Sequence, residues 1–301
     1  MRLFITGATG YIGFNVATAL RRAGYEVWGL TRSQQGALWL ARNEINPTIG
    51  SLQQPDSFKA IAASSDTIVH AAIDYQADSA ALDTATVKTL LDAALPSPAP
   101  KTLIYTSGVW VYGNTHGRPV SEEAPLAPAQ TVAWRPAVEQ IVLNADGVRG
   151  IVIRSGVVYG RGGGLTRLWF EGASNGGVLQ VVGDGHNHWA MVHVDDLAQG
   201  YLRAAQSDVS GEVFNLVDSS RAMVMEIASA AAQAVGKIRQ IEFIPVEEAA
   251  QEMGAMAEAL ALDQMVDATK ARRLLKWQIK HSGFIAELYT YFRAWQASQR
   301  G

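Results

Sequence analysis

The chain has 301 residues, of which 48% are hydrophobic, and a formal net charge of −3. That length suffices for a large core, as one big α/β unit or two domains, and the lack of a basic surplus argues against nucleic acid as a partner. There is no cysteine, which excludes disulfides, thiolate nucleophiles and cysteine-held metals.

Taken in chain order, short apolar runs alternate with helical patterns. Residues 3–5 read as a buried strand that stops at Gly7, too short for a signal peptide. Ile12, Val16, Ala19, Leu20 and Ala23 then recur at helical spacing, and Gly24 is a natural stop. Residues 27–30 form a second strand and 48–50 a third, with Asp56 placed to cap the next helix. Strands follow at 67–70, 102–105, 151–154 and 213–217. The Pro96–Pro100 stretch reads as a stiff connector. Strands separated by helices imply βαβ crossovers and a parallel sheet covered on both faces. The expectation is a Rossmann-type doubly wound sheet over residues 1–160, rejoined by 195–218. Residues 161–194 and 219–301 would make a smaller, mostly helical substrate lobe. No apolar stretch approaches the roughly 18 residues of a membrane span, so a soluble, cytoplasmic protein is expected.

The first turn carries chemistry. Gly7-Ala8-Thr9-Gly10-Tyr11-Ile12-Gly13 follows a strand and opens an amphipathic helix. Glycines there permit the tight turn, close approach of a pyrophosphate to backbone, and close helix–strand packing. The helix N-terminus offers free N–H groups and the positive end of its dipole. With Val69-His70-Ala71-Ala72, Val111-Tyr112-Gly113, the run from Arg154 to Gly160 and the run from Val192 to Ala198, this turn resembles the short-chain dehydrogenase/reductase superfamily. The likeness is to its extended and atypical branches, the NAD-dependent epimerase/dehydratase family. The resemblance covers nearly the whole chain. It implies coenzyme contacts from Gly7, Thr9, Gly10, Tyr11, Ile12, Gly13, Ser51, Leu52, Ala71, Ala72, Arg135, Gly156 and Val157. It also implies a small-molecule substrate and a homodimer formed through sheet-flanking helices.

A carboxylate ending the second strand would bind the adenosine ribose and repel a 2′-phosphate. Here the strand ends in Thr31-Arg32-Ser33, a planar cation and a hydroxyl. The charge pattern therefore favours NADP(H) over NAD(H).

The catalytic stretch departs from the family. A tyrosine with a lysine four residues on is usual, but the corresponding segment runs Thr131-Val132-Ala133-Trp134-Arg135-Pro136. Counting from Glu139 puts Arg135 at the lysine position and Thr131 at the tyrosine position; the other register offers Trp134 and Val138. Proline fits only a first helical turn, so Thr131 is equally suited to N-cap a helix starting there. The substrate-orienting hydroxyl falls on Gly108, leaving Ser107 one residue early. Tyr112, Tyr159, His186, His188 and His193 are other potential proton donors. Asp195 is placed to cap the helix after His193. Trp189 stands where sugar-nucleotide enzymes place an arginine for the diphosphate. Trp110, Trp134 and Trp169 fall in segments near the nicotinamide end. These features point to an oxidoreductase for a small apolar or aromatic carbonyl or alcohol. The alternatives are an epimerase or dehydratase with tightly held cofactor, or a non-catalytic NADP(H)-binding sensor or assembly factor.

Overall fold

A computed structural model describes residues 1–74, 78–95, 97, 99–175, 178–236 and 240–299. Pro96 and Pro98 of the expected connector lie outside the described residues. The strands are β1 (Arg2–Thr6), β2 (Glu26–Thr31), β3 (Asn46–Ile49), β4 (Thr67–His70), β5 (Lys101–Gly108), β6 (Val148–Ser155), β7 (Val157–Gly160), β8 (Gly163–Gly164), β9 (Val178–Val182), β10 (Met191–His193), β11 (Glu212–Leu216) and β12 (Gln240–Ile244). The helices are α1 (Tyr11–Arg22), α2 (Gln34–Arg42), α3 (Asp56–Ala63), α4 (Ser79–Ala94), α5 (Arg135–Leu143), α6 (Arg167–Asn175), α7 (Val194–Gln206), α8 (Val224–Val235), α9 (Val246–Met253), α10 (Met256–Leu260), α11 (Thr269–Leu274) and α12 (Leu288–Ser298).

Seven strands form one sheet in the order β11-β6-β5-β4-β1-β2-β3, every neighbouring pair parallel. The strands are apolar on both sides because helices cover both faces. Leu3, Ile5, Val27, Ile104, Ile151 and Ile153 pack on one face. Phe4, Ile68, Leu103, Tyr105 and Val152 pack on the other. The chain order reverses between β1 and β4, which opens a crevice at their carboxyl ends. The strand expected at 213–217 is β11, and it does return to this sheet beside β6.

The lobe contains more strand than its sequence suggests. β7, the last residues of the expected 1–160 unit, lies outside the main sheet and pairs with β10 in parallel and with β8 in a tight antiparallel hairpin, while β9 pairs with β12. β8 is only two glycines, β10 only three residues, and β9 and β12 pair across 62 positions, so no local pattern announces them. Among the described residues, no helix is long and apolar enough to cross a membrane.

Three expected caps are corrected. Pro55, not Asp56, caps α3, and Asp56 is its first residue. His193, not Asp195, caps α7, its Nδ1 accepting the Asp195 N–H at 3.1 Å. Thr131 lies in a 3-10 turn (Gln130–Val132), and α5 starts only at Arg135, with Trp134 as cap. Pro136 thus sits in the first turn, where its missing N–H costs nothing.

Two glycine substitutions should separate backbone crowding from helix propensity. A Cβ at Gly150 would lie 1.9 Å from the Val142 carbonyl oxygen, so Gly150→Ala should destabilise by about 1–3 kcal/mol. A Cβ at Gly172, inside α6, meets nothing closer than 3.6 Å. Gly172→Ala should raise stability by about 0.5–1 kcal/mol. Denaturant melts of the two variants test both signs.

Candidate functional site

The glycine turn is held by close approach. Gly7 has φ +71°, and a Cβ there would sit 2.5 Å from the Ala71 oxygen. A Cβ at Gly13 would sit 2.1 Å from the Gly7 oxygen. The exit of β4 and the first turn of α1 therefore press on the loop from two sides. Gly10 caps α1 without a side chain, and no acidic residue stands in the first turn. The N–H groups there stay open to an anion.

In front of the turn lies a cavity of about 410 Å³, lined by Gly7, Thr9, Gly10, Tyr11, Ile12, Gly13, Arg32, Ser51, Leu52, Ala71 and Ala72. A second, of about 580 Å³, shares Tyr11, Ile12, Ala71, Ala72 and Ile73 with it and continues past Thr106, Trp110, Arg135, Gly156 and Val157. The close glycine approach, the uncapped helix end and a crevice at the strand reversal fit an elongated dinucleotide.

At the outer end, Arg32 Nη1 lies 3.6 Å from Asp74 Oδ2, and Gln53 donates to the same oxygen at 2.9 Å. Sequence reasoning missed Asp74. It carries no motif, and only the placement of β4 beside β1 brings it to Arg32. Ser33 is occupied otherwise: its Oγ accepts the Gly36 N–H at 3.0 Å and caps α2. It lines a neighbouring recess with Arg32 and Arg42.

At the inner end, the expected proton donors are mostly committed elsewhere. Ser107 reaches the cavity wall, but its hydroxyl donates to Glu139 Oε1. Glu139, fully buried, pairs through both oxygens with buried Arg154. Arg154 Nη1 donates to the Tyr112 hydroxyl at 2.8 Å, and Tyr112 donates to Asn215 Oδ1 at 2.8 Å. Burial pushes the Tyr112 phenol up despite Arg154. Tyr112 is therefore a buried structural link rather than an acid at the site. Thr131 does not line the cavity, although its neighbour Val132 does. Arg135 does line it, with Nη1 donating to the Thr106 carbonyl and its guanidinium 5.7 Å from the Trp134 ring.

The other candidates have partners of their own. Tyr159 donates to Asp218 at 3.0 Å. His188 lies 2.8 Å from Asp263, and His186 lies 3.3 Å from Asp184. Of Trp110, Trp134, Trp169 and Trp189, only Trp110 lines the inner cavity. Trp134 donates to Asp83. Trp169 and Trp189 are buried and stack on each other at 4.8 Å. Under the β4 exit, His70 Nδ1 lies 2.6 Å from Thr6 Oγ1 and Nε2 lies 2.9 Å from Asp83 Oδ1. Asp83 also accepts from Tyr105 and Trp134; against its burial, these bonds and His70 hold its carboxyl below the usual range.

His193 stacks on His281 with centroids 3.6 Å apart, and ligand atoms of these two and Asp195 lie within 4.8 Å of one another. Both Asp195 oxygens are taken by the Arg161 guanidinium, at 2.6 and 2.9 Å, so its charge is already matched.

Comparison with known proteins agrees with this geometry. The model of the NAD dependent epimerase/dehydratase family matches residues 3–216. The chain belongs to that family. An uncharacterised Schizosaccharomyces pombe protein is 28% identical, over 96% of this chain and 98% of its own. A Stigmatella aurantiaca protein named 4-hydroxy-2-methyl-3-oxo-4-farnesyl-3,4-dihydroquinoline-1-oxide ketoreductase is also 28% identical, over 83% of this chain and 78% of its own. In fold, the chain is similar to dTDP-glucose 4,6-dehydratase of Bacillus anthracis in complex with NAD, at TM-score 0.84 and 20% identity, covering 100% and 98% of the two chains.

Two measurements probe the buried groups. Glu139→Ala strands Arg154 without its counter-ion and should cost about 3–5 kcal/mol in a denaturant melt. Burial and the His281 ring hold the His193 imidazole down at about 4, against an ordinary value of about 6.5. Between those values only the unfolded chain takes up this proton. Stability should therefore fall as pH drops from about 6.5 toward 4, and His281→Gln should flatten that slope.

Proposed function

We propose that this protein is an NADP(H)-dependent oxidoreductase that interconverts a small apolar or aromatic carbonyl compound and its alcohol. The observation that carries this reading is the inner cavity. It continues from the glycine turn and is walled mainly by apolar side chains, including Ile12, Trp110, Val132, Val157, Val158 and Leu165. Its charged groups are Arg135 and Arg167, the latter half-exposed and 4.0 Å from Glu171. The nicotinamide, when bound, supplies or takes the hydride. The chain's part is placement. With the coenzyme bound, N–H groups of the turn and of α1 would hold the pyrophosphate, Ser51 and Leu52 would flank the adenine, and Ala71, Ala72, Gly156 and Val157 would border the nicotinamide. Arg135 would keep a cation near the ribose, and Arg32, now 3.6 Å from Asp74, would hold the 2′-phosphate. Residues 1–160 with 195–218 act as the coenzyme-binding unit, and the rest as the substrate lobe.

The ketoreductase relative supports a carbonyl substrate. A nucleotide sugar is disfavoured because packed rings fill the place of the usual diphosphate-binding arginine. Trp189 is 6% exposed, lies against Trp169 and donates to the Leu260 carbonyl. A second reading, NAD(H) as coenzyme, is favoured by one observation: Asp74 puts a carboxylate in the outer cavity.

Titration with both reduced coenzymes decides between the two. NADPH should bind more tightly than NADH, and Arg32→Ala should cost NADPH about tenfold while sparing NADH, the loss of one charge-assisted contact. Tighter NADH binding ends the NADP(H) assignment. Coenzyme oxidation with benzaldehyde, acetophenone and cyclohexanone tests the reaction. Conversion of UDP-glucose with coenzyme that never leaves would replace it with the epimerase reading. Tight coenzyme binding with no turnover of any of these would replace it with the sensor.

A further inference from the structure

Among the described residues, the tyrosine lining the cavity is Tyr11, whose hydroxyl is bonded to Gly160, so another group has to hold the substrate oxygen. Among the described residues, its side-chain hydroxyls belong to Tyr11, Thr106, Ser107 and Ser155. Three have their proton aimed at the protein. Tyr11 donates to the Gly160 carbonyl at 2.7 Å, Ser107 to Glu139, and Ser155 to the Ser107 carbonyl at 3.4 Å. Thr106 differs. Its Oγ1 lies 2.7 Å from the hydroxyl of Tyr201, a fully buried residue of α7.

A phenol is a stronger acid than an aliphatic alcohol, and the buried Tyr201 hydroxyl has no other acceptor among the described residues. Tyr201 is therefore the donor and Thr106 the acceptor. One consequence follows from counting protons. Thr106 has a single hydroxyl proton, and it points away from Tyr201. Thr106 is half-buried where Tyr105 and Ser107 are buried, since alternation along β5 turns those two to the opposite face. Arg135, donating to the Thr106 carbonyl, sets a cation beside the same residue.

We propose that Thr106 is the catalytic hydroxyl that donates to the substrate oxygen, with Tyr201 as a positioning residue that fixes the direction of its proton. This rests on the oxidoreductase reading above. In reduction, the carbonyl carbon gains a hydride from reduced nicotinamide coenzyme and the carbonyl π pair moves onto oxygen. The Thr106 O–H bond then breaks toward that oxygen while a water in the cavity delivers a proton to Thr106 Oγ1 and leaves as hydroxide for solvent to neutralise; Tyr201 keeps its own proton and its hydrogen bond to Thr106. One carbonyl, one hydride and one water-derived proton thus make one alcohol. Burial pushes the Tyr201 phenol up, and the Thr106 hydrogen bond and the Arg135 charge pull it back part of the way. Tyr201 thus stays neutral and holds its hydrogen bond to Thr106.

The test uses the NADP⁺-loaded protein with acetophenone, which cannot react in that complex. Infrared difference spectra should show the bound carbonyl band shifted down by hydrogen bonding. Thr106→Val should return it to its position in an apolar solvent, and Thr106→Ser should keep the shift. With NADPH, Thr106→Val should lower kcat about a hundredfold, as loss of one preorganised donor does, with coenzyme affinity unchanged. Tyr201→Phe should lower kcat with little change in KM, and should add no further loss to Thr106→Val. A carbonyl band that Thr106→Val leaves in place, or wild-type turnover by that variant, overturns the assignment while sparing the oxidoreductase reading. Failure of acetophenone to bind the loaded wild-type protein removes the carbonyl reading, and the role of Thr106 with it.

Discussion

The buried pair Glu139–Arg154 is the interaction on which the inner site depends. Two charges taken out of water are tolerable only when every remaining donor and acceptor is used. Here the surplus is absorbed by Ser107 on one side and Tyr112 on the other, and Tyr112 passes the chain of bonds to Asn215 on β11. One network thus ties α5 to β5, β6, β11 and the 3-10 turn after β5. Its requirements also decide the chemistry available. Satisfying the ion pair uses the hydroxyls of Ser107 and Tyr112, which the sequence offers as proton donors. What remains for a ligand is the other face of β5, where Thr106 stands.

The same economy appears at Arg135. A lysine would present a compact, mobile ammonium, whereas a guanidinium is broad and planar. It fits here because Thr106 offers a carbonyl to one nitrogen while the Tyr105 and Trp134 rings lie about it at 6.0 and 5.7 Å. Trp134 is in turn fixed by Asp83, which also holds His70 beneath the β4 exit. The two walls of the crevice, one from β4 and one from the start of α5, therefore share a single buried carboxylate.

Much of the fold was legible because its signals are local. The glycine spacing, the apolar strand runs and the return of 213–217 to the sheet each follow from a few consecutive residues. The lobe was less so: β8 is only two glycines, and β9 finds its partner 62 residues away in β12. The outer site was readable at Arg32 but not at Asp74, whose meaning comes from strand order. The inner site was least readable. Ser107, Tyr112 and Thr106 are all hydroxyl residues in one short segment, and only side-chain direction and long-range partners tell them apart. Nothing near Tyr201 in sequence ties it to residue 106.

Tyr11 has a consequence of a different kind. Its ring begins α1 at the glycine turn, its hydroxyl bonds the Gly160 carbonyl, and Gly163 packs so closely that a Cβ there would lie 2.4 Å from the ring. The β7–β8 hairpin is thus clasped to the coenzyme loop through one aromatic side chain. A ligand that stiffens the loop must also damp the hairpin, so filling the outer cavity and shaping the inner one are thermodynamically linked events. Such a link works equally in both directions: whichever cavity is filled first changes the other by the same factor.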